Sequence, residues 1–201
     1  MDTICLDCLT KTYEEKTICK DLSFGFEKDK FYVIRGRSGC GKTTLLNLIA
    51  GYVRPEQGKV RTDAQIGYLN QQMMLFSNLT VEENVRISLY AEEVEETDLQ
   101  EKLDELLMRF GISELKHNKV ACLSGGERRR VELIQMLLKD TKIVLMDEPT
   151  AQLDEENAKM MEEIILNEYK GKTVIIVTHE NDVFVDHCIG LRLQNGKLEH
   201  E

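Results

Sequence analysis

The segment Gly36–Thr43 constrains the fold of this chain more than any other part of its sequence. It reads Gly-Arg-Ser-Gly-Cys-Gly-Lys-Thr, a glycine followed after four residues by Gly-Lys-Thr. The apolar run Phe31–Arg35 before it is typical of a buried strand, and Lys42–Ala50 after it places apolar residues on one face of a helix. A strand, a glycine-rich loop and a helix in this order predict an α/β fold with a parallel sheet.

Such a loop is suited to holding phosphate groups. Backbone N–H groups that point into the loop, together with the N-terminus of the following helix, can hold several negative charges. Lys42 is expected to reach the β- and γ-phosphate oxygens of ATP, and the Thr43 hydroxyl is expected to bind Mg²⁺. The alternative is a glycine-rich turn that precedes a lysine by chance. The residues predicted to contact ATP here are Gly36, Arg37, Ser38, Gly39, Cys40, Gly41, Lys42, Thr43 and Thr44.

Strand-like and helix-like segments alternate along most of the chain. Strands are predicted at Ile4–Leu9, Ser23–Glu27, Lys142–Met146 and Thr173–Val177, and helices over Gly126–Lys139 and after Asp154. The stretch from Gln72 to Cys122 is mainly helical instead, and Thr80 with Glu83 predicts a capping box within it. At 201 residues the chain is expected to form one domain, 1–201, with a core of about 1–71 and 123–201 and a helical subdomain of about 72–122.

An apolar strand that ends in two acidic residues, Asp147 and Glu148, predicts a second part of the same site. Consecutive residues of a strand point to opposite faces, so the two carboxylates are expected to differ in role. Asp147 suits Mg²⁺, directly or through water, and Glu148 suits a general base that polarises the attacking water. The alternative is an ordinary strand that ends in a solvated acidic turn.

The segment Leu123–Glu127, Leu-Ser-Gly-Gly-Glu, begins a second helix. Ser124 and Glu127 fit a capping box, which accounts for these two residues without any ligand. Capping does not require two consecutive glycines, however, and Gly125 and Gly126 leave backbone N–H groups open beside the Ser124 hydroxyl. One ATP cannot easily occupy both anion sites of one molecule. The sequence therefore predicts two molecules arranged head to tail, each presenting this helix end to the phosphate held by the other.

The charge balance argues against a nucleic-acid-binding protein. The formal net charge is −10, whereas binding to a phosphate backbone needs clustered Lys and Arg. The three arginines Arg128–Arg130 could form a basic patch. We expect instead a helix face on which they pair with Glu127 and Glu132.

Cysteine usage and hydropathy bear on the compartment. The six cysteines occur without a secretory signal, which predicts a reducing, cytosolic setting. Cys5 and Cys8 lack the second pair that a zinc site of this kind needs, so both are expected in a strand. No run approaches the ~20 apolar residues that span a bilayer, so any membrane crossing is expected of other chains.

Taken in order, these motifs resemble those of the nucleotide-binding subunits of ATP-binding cassette (ABC) transporters, over nearly the whole chain. Gly36–Thr43 looks like the Walker A loop, Leu123–Glu127 like the family signature, and Asp147 with Glu148 like the Walker B pair. The resemblance implies a P-loop NTPase (RecA-like) core with an N-terminal antiparallel β subdomain and an inserted α-helical subdomain. It also implies that Ser124, Gly125 and Gly126 bind ATP.

The resemblance adds four residues to the predicted site. Tyr13 looks like the aromatic residue that stacks on adenine, and Asp154 lies in Ala151–Asp154, which is similar to the D-loop. Gln71 would sense the γ-phosphate and Mg²⁺ while contacting a membrane partner. His179 would donate a hydrogen bond to the γ-phosphate.

Each of these assignments has an alternative. Tyr13 could be a surface turn residue, because the aromatic residues Phe24, Phe26 and Tyr32 are also nearby in sequence. His179 could be a structural histidine after an apolar strand. Gln71 is preferred over the adjacent Gln72 because it lies in the family register relative to Leu79–Val85.

Two features depart from the family pattern. The stretch from Gly58 to Gln71 is short for the family, so its usual hairpin is expected to be reduced. The residues Arg128–Met136 lack the Ala-Arg-Ala pattern common on the signature helix. These departures concern the subfamily rather than the chemistry.

The sequence as a whole predicts an ATPase that dimerises, as a homodimer or with another ATPase subunit, to drive a membrane permease. The permease is expected to dock near Gln71–Phe76, which holds this chain at the cytoplasmic face of the membrane. No nucleic acid partner is expected. The alternatives are an ABC-type ATPase of DNA maintenance or soluble assembly, and a small-molecule kinase, which would leave Leu123–Glu127 without a purpose.

Overall fold

The computed structural model describes residues 2–13, 16–90, 96–151, 153–179, 184 and 188–201. The strands are β1 (Asp2–Tyr13), β2 (Lys16–Glu27), β3 (Phe31–Arg35), β4 (Gln57–Thr62), β5 (Ile66–Leu69), β6 (Ile143–Asp147), β7 (Thr173–Val177), β8 (Ile189–Gln194) and β9 (Lys197–His200). The helices are α1 (Lys42–Ile49), α2 (Val81–Ser88), α3 (Glu96–Arg109), α4 (Gly125–Leu138) and α5 (Glu155–Glu168). Short 3₁₀ turns occur at Ser113–Leu115 and Val120–Cys122.

A six-stranded sheet in the order β5-β6-β7-β3-β8-β9 positions the phosphate loop, which follows β3, and the acidic pair at the end of β6. β3 runs parallel to β7 and β8, β6 runs parallel to β7, and β9 pairs antiparallel with β8. Every residue of β6 and β7 is buried, as in strands that are covered on both faces. Because the carboxyl ends of parallel strands lie at one edge, Gly36, Asp147 and the residues after Val177 come to the same edge of the sheet.

A second sheet, in the order β2-β1-β4, is antiparallel. Its buried residues Ile4, Leu9 and Phe26 share one core with Leu46 of α1 and Leu145 of β6. β1 and β2 extend beyond the segments predicted as strands, and β4, β5, β8 and β9 were not predicted at all. β4 shows why, because only its valine is even partly buried and its sequence has no clear apolar alternation.

The chain divides into two compact units. The first consists of Met1–Tyr68, Thr141–Pro149 and Tyr169–Glu201 and holds α1 and both sheets apart from Leu69. The second consists of Leu69–Asp140 and Thr150–Glu168 and contains α2, α3, α4 and α5. Within the second unit α4 contacts the other three helices, with apolar residues such as Leu133 fully buried. In the part of the chain that is described, no helix is long and apolar enough to cross a bilayer.

Candidate functional site

The phosphate loop connects the end of β3 to the start of α1. Gly41 is the N-cap of α1 with a φ of 110°, a left-handed conformation that favours glycine. A Cβ at this position would lie 2.5 Å from Cγ2 of Ile18, so no other residue fits without a shift. Because glycine has no side chain to cap the helix, the first N–H groups of α1 are left to a ligand such as phosphate.

Side chains around the loop hold its shape. Lys42 is buried, and its Nζ donates to the carbonyl oxygen of Gly36 at 2.7 Å, which spans the loop from end to start. Lys16 of β2 donates to the carbonyl oxygen of Gly39. Arg37, Ser38, Gly39 and Thr43 are exposed, while Cys40, Gly41 and Thr44 are partly buried. The loop therefore leaves most of the predicted ATP contacts accessible.

The acidic pair stands where β6 ends. Asp147 is its last residue and is only 2% exposed. Glu148 follows with a φ of 51°, which is strained for a residue other than glycine, and its N–H donates to the Val177 carbonyl at 2.9 Å. Strain of this kind occurs often at functional sites.

The same edge of the sheet brings Glu148 to His179. Nε2 of His179 lies 2.8 Å from Oε1 of Glu148, so the predicted general base contacts the histidine that is predicted to donate to the γ-phosphate. Glu148 follows β6 and His179 follows β7, and these strands are direct neighbours. A carboxylate and an imidazole in this contact can orient each other and can hold or move a proton. The adjacent Glu180 lies outside the described residues.

The predicted Mg²⁺ ligands of the first unit are hard oxygen donors. Thr43 offers a hydroxyl in the first turn of α1, Asp147 offers a carboxylate, and α1 contacts β6. This donor set fits Mg²⁺.

Tyr68 of β5 was not among the residues predicted for the site. Burial, and after it the charge of Asp147, raises the pKa of its phenol well above the usual range. No local signal marks this tyrosine, because its nearness to Asp147 depends on strand pairing.

Tyr13 is the exposed aromatic residue at the end of β1. Its ring is covered on one side by Nζ of Lys11, 4.9 Å from the ring centroid, and it pairs across the strands with Lys16, the residue that contacts Gly39. The other candidates for the adenine contact are packed together, with ring centroids of Phe26 and Tyr32 only 5.0 Å apart. Tyr13 is thus the candidate that is free to stack on a ligand.

In the second unit, Ser124 caps the N-terminus of α4. A full capping box is present, with the Ser124 hydroxyl accepting from the Glu127 N–H at 3.3 Å and the Glu127 carboxylate accepting from the Ser124 N–H at 2.7 Å. The box uses neither the N–H of Gly125 nor that of Gly126. Asp154 caps α5 in a similar way, since its carboxylate accepts from the Asn157 N–H at 2.9 Å. Gln152, in the same segment Ala151–Asp154, lies outside the described residues.

Gln71 begins a segment whose backbone is held while its side chains are exposed. Its carbonyl oxygen accepts from Nη2 of Arg129 at 3.2 Å. Among the four apolar residues that follow, Met73, Met74 and Phe76 are exposed, Met74 by 74% and Phe76 by 58%. The segment therefore presents an apolar surface, as expected of a docking site.

The three arginines of α4 do not form a surface patch. Arg129 pairs with Glu132, with Nη1 2.9 Å from Oε2. Arg128 and Arg130 donate instead to main-chain carbonyls, of Val120 and Ala121 and of Phe110 respectively. Pairing of Arg129 with Glu132 agrees with the predicted helix face, whereas Glu127 is engaged in the capping box.

Comparison with known proteins identifies the family. A family model described as ABC transporter matches residues 19–151, well over half of the chain. The chain belongs to the ABC transporter family. The predicted membership and the predicted P-loop α/β fold are both confirmed. The matched domain binds ATP, and ATP-binding subunits of this family are in general ATPases.

Individual relatives agree with this placement. The spermidine/putrescine import ATP-binding protein PotA of Protochlamydia amoebophila is 31% identical over 99% of this chain, which spans only 57% of PotA. The ABC transporter ATP-binding protein YtrE of Bacillus subtilis is 34% identical over 92% of this chain and 88% of its own length. Among solved structures, cbiO1 of Clostridium perfringens, part of the ABC transporter complex cbiONQ, superposes with a TM-score of 0.84 at 25% identity, covering 98% of this chain and 87% of cbiO1. These relatives support a transporter subunit over an ATPase of DNA maintenance or soluble assembly.

Proposed function

We propose that this chain hydrolyses MgATP as a head-to-tail dimer, with a second copy or a related subunit, and thereby drives a separate membrane permease. The chain acts as a single ATPase domain, 1–201, in which the second compact unit contains both the signature and the segment Met73–Phe76. It works at the cytoplasmic face of the membrane, where the permease holds it.

The observation that carries the proposal is that two helices of this chain have glycines at their N-termini, which leave backbone N–H groups open to a ligand. Gly41 is the N-cap of α1, and Gly125 and Gly126 are the first two residues of α4, directly after its N-cap Ser124. A kinase built on the phosphate loop needs the first of these and has no use for the second. In a head-to-tail dimer both anion sites of a chain are used, because the N-terminus of α4 in each chain faces the ATP that is held by the phosphate loop of the other.

Hydrolysis follows from the groups at the edge of the six-stranded sheet. Glu148 orients the attacking water and takes its proton, and His179, in contact with Glu148, donates to the γ-phosphate. Lys42 neutralises phosphate charge while Tyr13 stacks on the adenine. Thr43, Asp147 and Gln71, the predicted ligands, would hold Mg²⁺, which would supply further neutralisation of the phosphates.

The permease contact is the docking segment, defined as Met73–Phe76. Met and Phe side chains that are exposed beside the γ-phosphate sensor Gln71 suit a short amphipathic helix of a membrane subunit. The relatives described above, an import ATP-binding protein and an ABC transporter ATP-binding protein, agree with such a partner.

The decisive experiment is Glu148→Gln. The amide can still hydrogen-bond His179 but cannot take a proton, so ATP binding should persist while turnover falls by roughly two to four orders of magnitude. Bound ATP would then hold two chains together. Size-exclusion chromatography with MgATP should show this variant as a dimer, and the wild type much less so.

A second substitution provides the control. Lys42→Ala added to Glu148→Gln should weaken ATP binding and return the chain to the monomer position in the same buffer. Glu148→Gln with wild-type turnover would remove Glu148 from its role. A variant that binds ATP without hydrolysing it and still remains monomeric would contradict the head-to-tail dimer.

A further inference from the structure

Arg129 and Glu132 form an almost completely buried ion pair on α4. They are 3% and 7% exposed, and Nη1 of Arg129 donates to Oε2 of Glu132 at 2.9 Å. Burial removes water from both charges, and an apolar pair of similar volume is often at least as stable. Stability alone therefore does not account for this pair.

The pair also bonds to a short stretch of main chain around Gln71. Arg129 donates to the carbonyl oxygens of Asn70, at 2.8 Å, and Gln71, at 3.2 Å. On the other side, Oε1 of Glu132 accepts from the N–H of Met74 at 2.7 Å. Three main-chain atoms within five residues are thus fixed to one turn of α4.

The far end of the docking segment is tied to α4 indirectly. The side chain of the buried Asn84, on α2, accepts from the Phe76 N–H at 2.7 Å and donates to the Phe76 carbonyl at 3.0 Å. The Asn84 carbonyl in turn accepts from Nε2 of Gln135 at 2.9 Å. Gln135 lies on α4, three residues after Glu132, so one helix holds both ends of the segment.

We propose that Arg129 and Glu132 are positioning residues that lock the main chain of residues 70–74 to α4, the helix that begins at Ser124. The inference rests on the proposed function, in which Gln71 senses the γ-phosphate and Met73–Phe76 docks the permease. Through this lock, a shift of Gln71 is shared with the docking segment and with the signature end of the helix. The pair acts through Gln71 and does not itself touch nucleotide.

The test replaces both charges together, as Arg129→Met with Glu132→Met, so that neither is left buried alone. The variant should melt close to the wild-type temperature, because relief from burying two charges offsets the loss of the three hydrogen bonds to the main chain. Its kcat for ATP should nevertheless fall, by roughly ten- to hundredfold, because a misplaced Gln71 disturbs the reacting groups. Its Kd for ATP should stay unchanged, because the phosphate loop is intact. A purely structural pair would leave kcat unaltered in a variant of undiminished stability.

Two single variants complete the design. Arg130→Met is the matched control, since Arg130 also donates from α4 to a main-chain carbonyl, that of Phe110 at 3.2 Å, and it should keep the wild-type kcat. Arg129→Lys keeps the positive charge opposite Glu132 but loses the forked donor, and it should lower kcat to an intermediate value. If the double variant melts below the wild-type temperature, Arg129→Lys serves as the test in its place.

The outcomes separate this inference from the proposed function. Wild-type kcat in Arg129→Lys and in a stable double variant would overturn the lock while leaving the ATPase proposal intact. A wild-type chain that does not hydrolyse MgATP would overturn the proposed function itself. Loss of ATP affinity in place of kcat would assign the pair to the structure of the ATP site and also overturn the lock.

Discussion

Gly125 is a glycine that its own chain does not require. A Cβ built at this position meets nothing within 4 Å, and the residue is the first of α4, in helical conformation. Gly41 is the opposite case, because any other residue there would have a strained positive φ and would need the nearby Ile18 side chain to shift. Glycine stabilises a helix less than alanine does, so its presence at position 125 suggests that another molecule approaches closely there.

Gly125→Ala should therefore separate stability from activity. We expect an unchanged or slightly higher melting temperature, by at most the equivalent of about 1 kcal/mol, because alanine favours the helix. ATPase activity should fall by roughly tenfold, because in the proposed dimer the added methyl group would meet the phosphate held by the partner. Calorimetry and a phosphate-release assay measure the two effects. Full activity in Gly125→Ala would show that no phosphate group comes close to the N-terminus of α4.

At the scale of elements, the N-termini of α1, α2 and α4 are built in two different ways. α2 and α4 each begin with a complete capping box, whereas α1 begins at a glycine. In α2, the Thr80 N–H donates to Oε2 of Glu83 at 2.8 Å, and the Thr80 hydroxyl does so at 3.0 Å. These two hydrogen bonds hold the pKa of Glu83 below its ordinary value of 4.5, and the bond from the Thr80 N–H has the larger effect.

The lowered pKa predicts a pH-dependent contribution of Glu83 to stability. A carboxylate whose pKa is lower in the folded than in the unfolded chain stabilises the fold fully above about pH 4.5 and loses that effect as pH falls through the folded value. Glu83→Gln keeps an acceptor for Thr80 but not the charge. The wild type should melt above this variant at pH 7, and the difference should shrink at an acidic pH, where Glu83 becomes protonated. An equal difference at both pH values would show that the charge does not contribute.

At the scale of the whole molecule, the docking segment is the surface that we propose as the contact with a membrane permease. Its main chain is held by Glu132 and Asn84, so the exposed side chains of Met74 and Phe76 are not needed to keep it in place. Exposed methionines adapt readily to a partner surface.

Met74→Ser with Phe76→Ser should leave the isolated chain folded and active, and should abolish both copurification with the permease and stimulation by it. Melting followed by circular dichroism shows whether the fold is retained. Met108→Ser is the matched control, because Met108 on α3 is similarly exposed, at 68%, and lies outside the docking segment. Intact binding in a folded double variant would reject the docking segment, and unfolding would show that these side chains belong to the core.

Local sequence was sufficient for the phosphate loop, the acidic pair and the signature. Each is a short run of residues whose spacing predicts its chemistry, and each stands at a strand or helix end that hydrophobic periodicity predicts. The capping boxes at Thr80 and Ser124 were also predicted correctly, because they too join residues only three apart. Family membership follows from the order of these motifs.

What the sequence by itself determined is thus the set of local motifs, and with them the fold class and the family. Only the tertiary structure decided which distant residues meet. The contact of Glu148 with His179 requires β6 and β7 to be neighbours in the sheet, and the bonds from Arg129 to Asn70 and Gln71 cross more than fifty residues of chain. The same holds for β4 and β8, whose pairing partners are remote. The physical reason is that spacing along the chain fixes which residues share a turn, whereas contacts between elements depend on which faces pack against each other to bury the core.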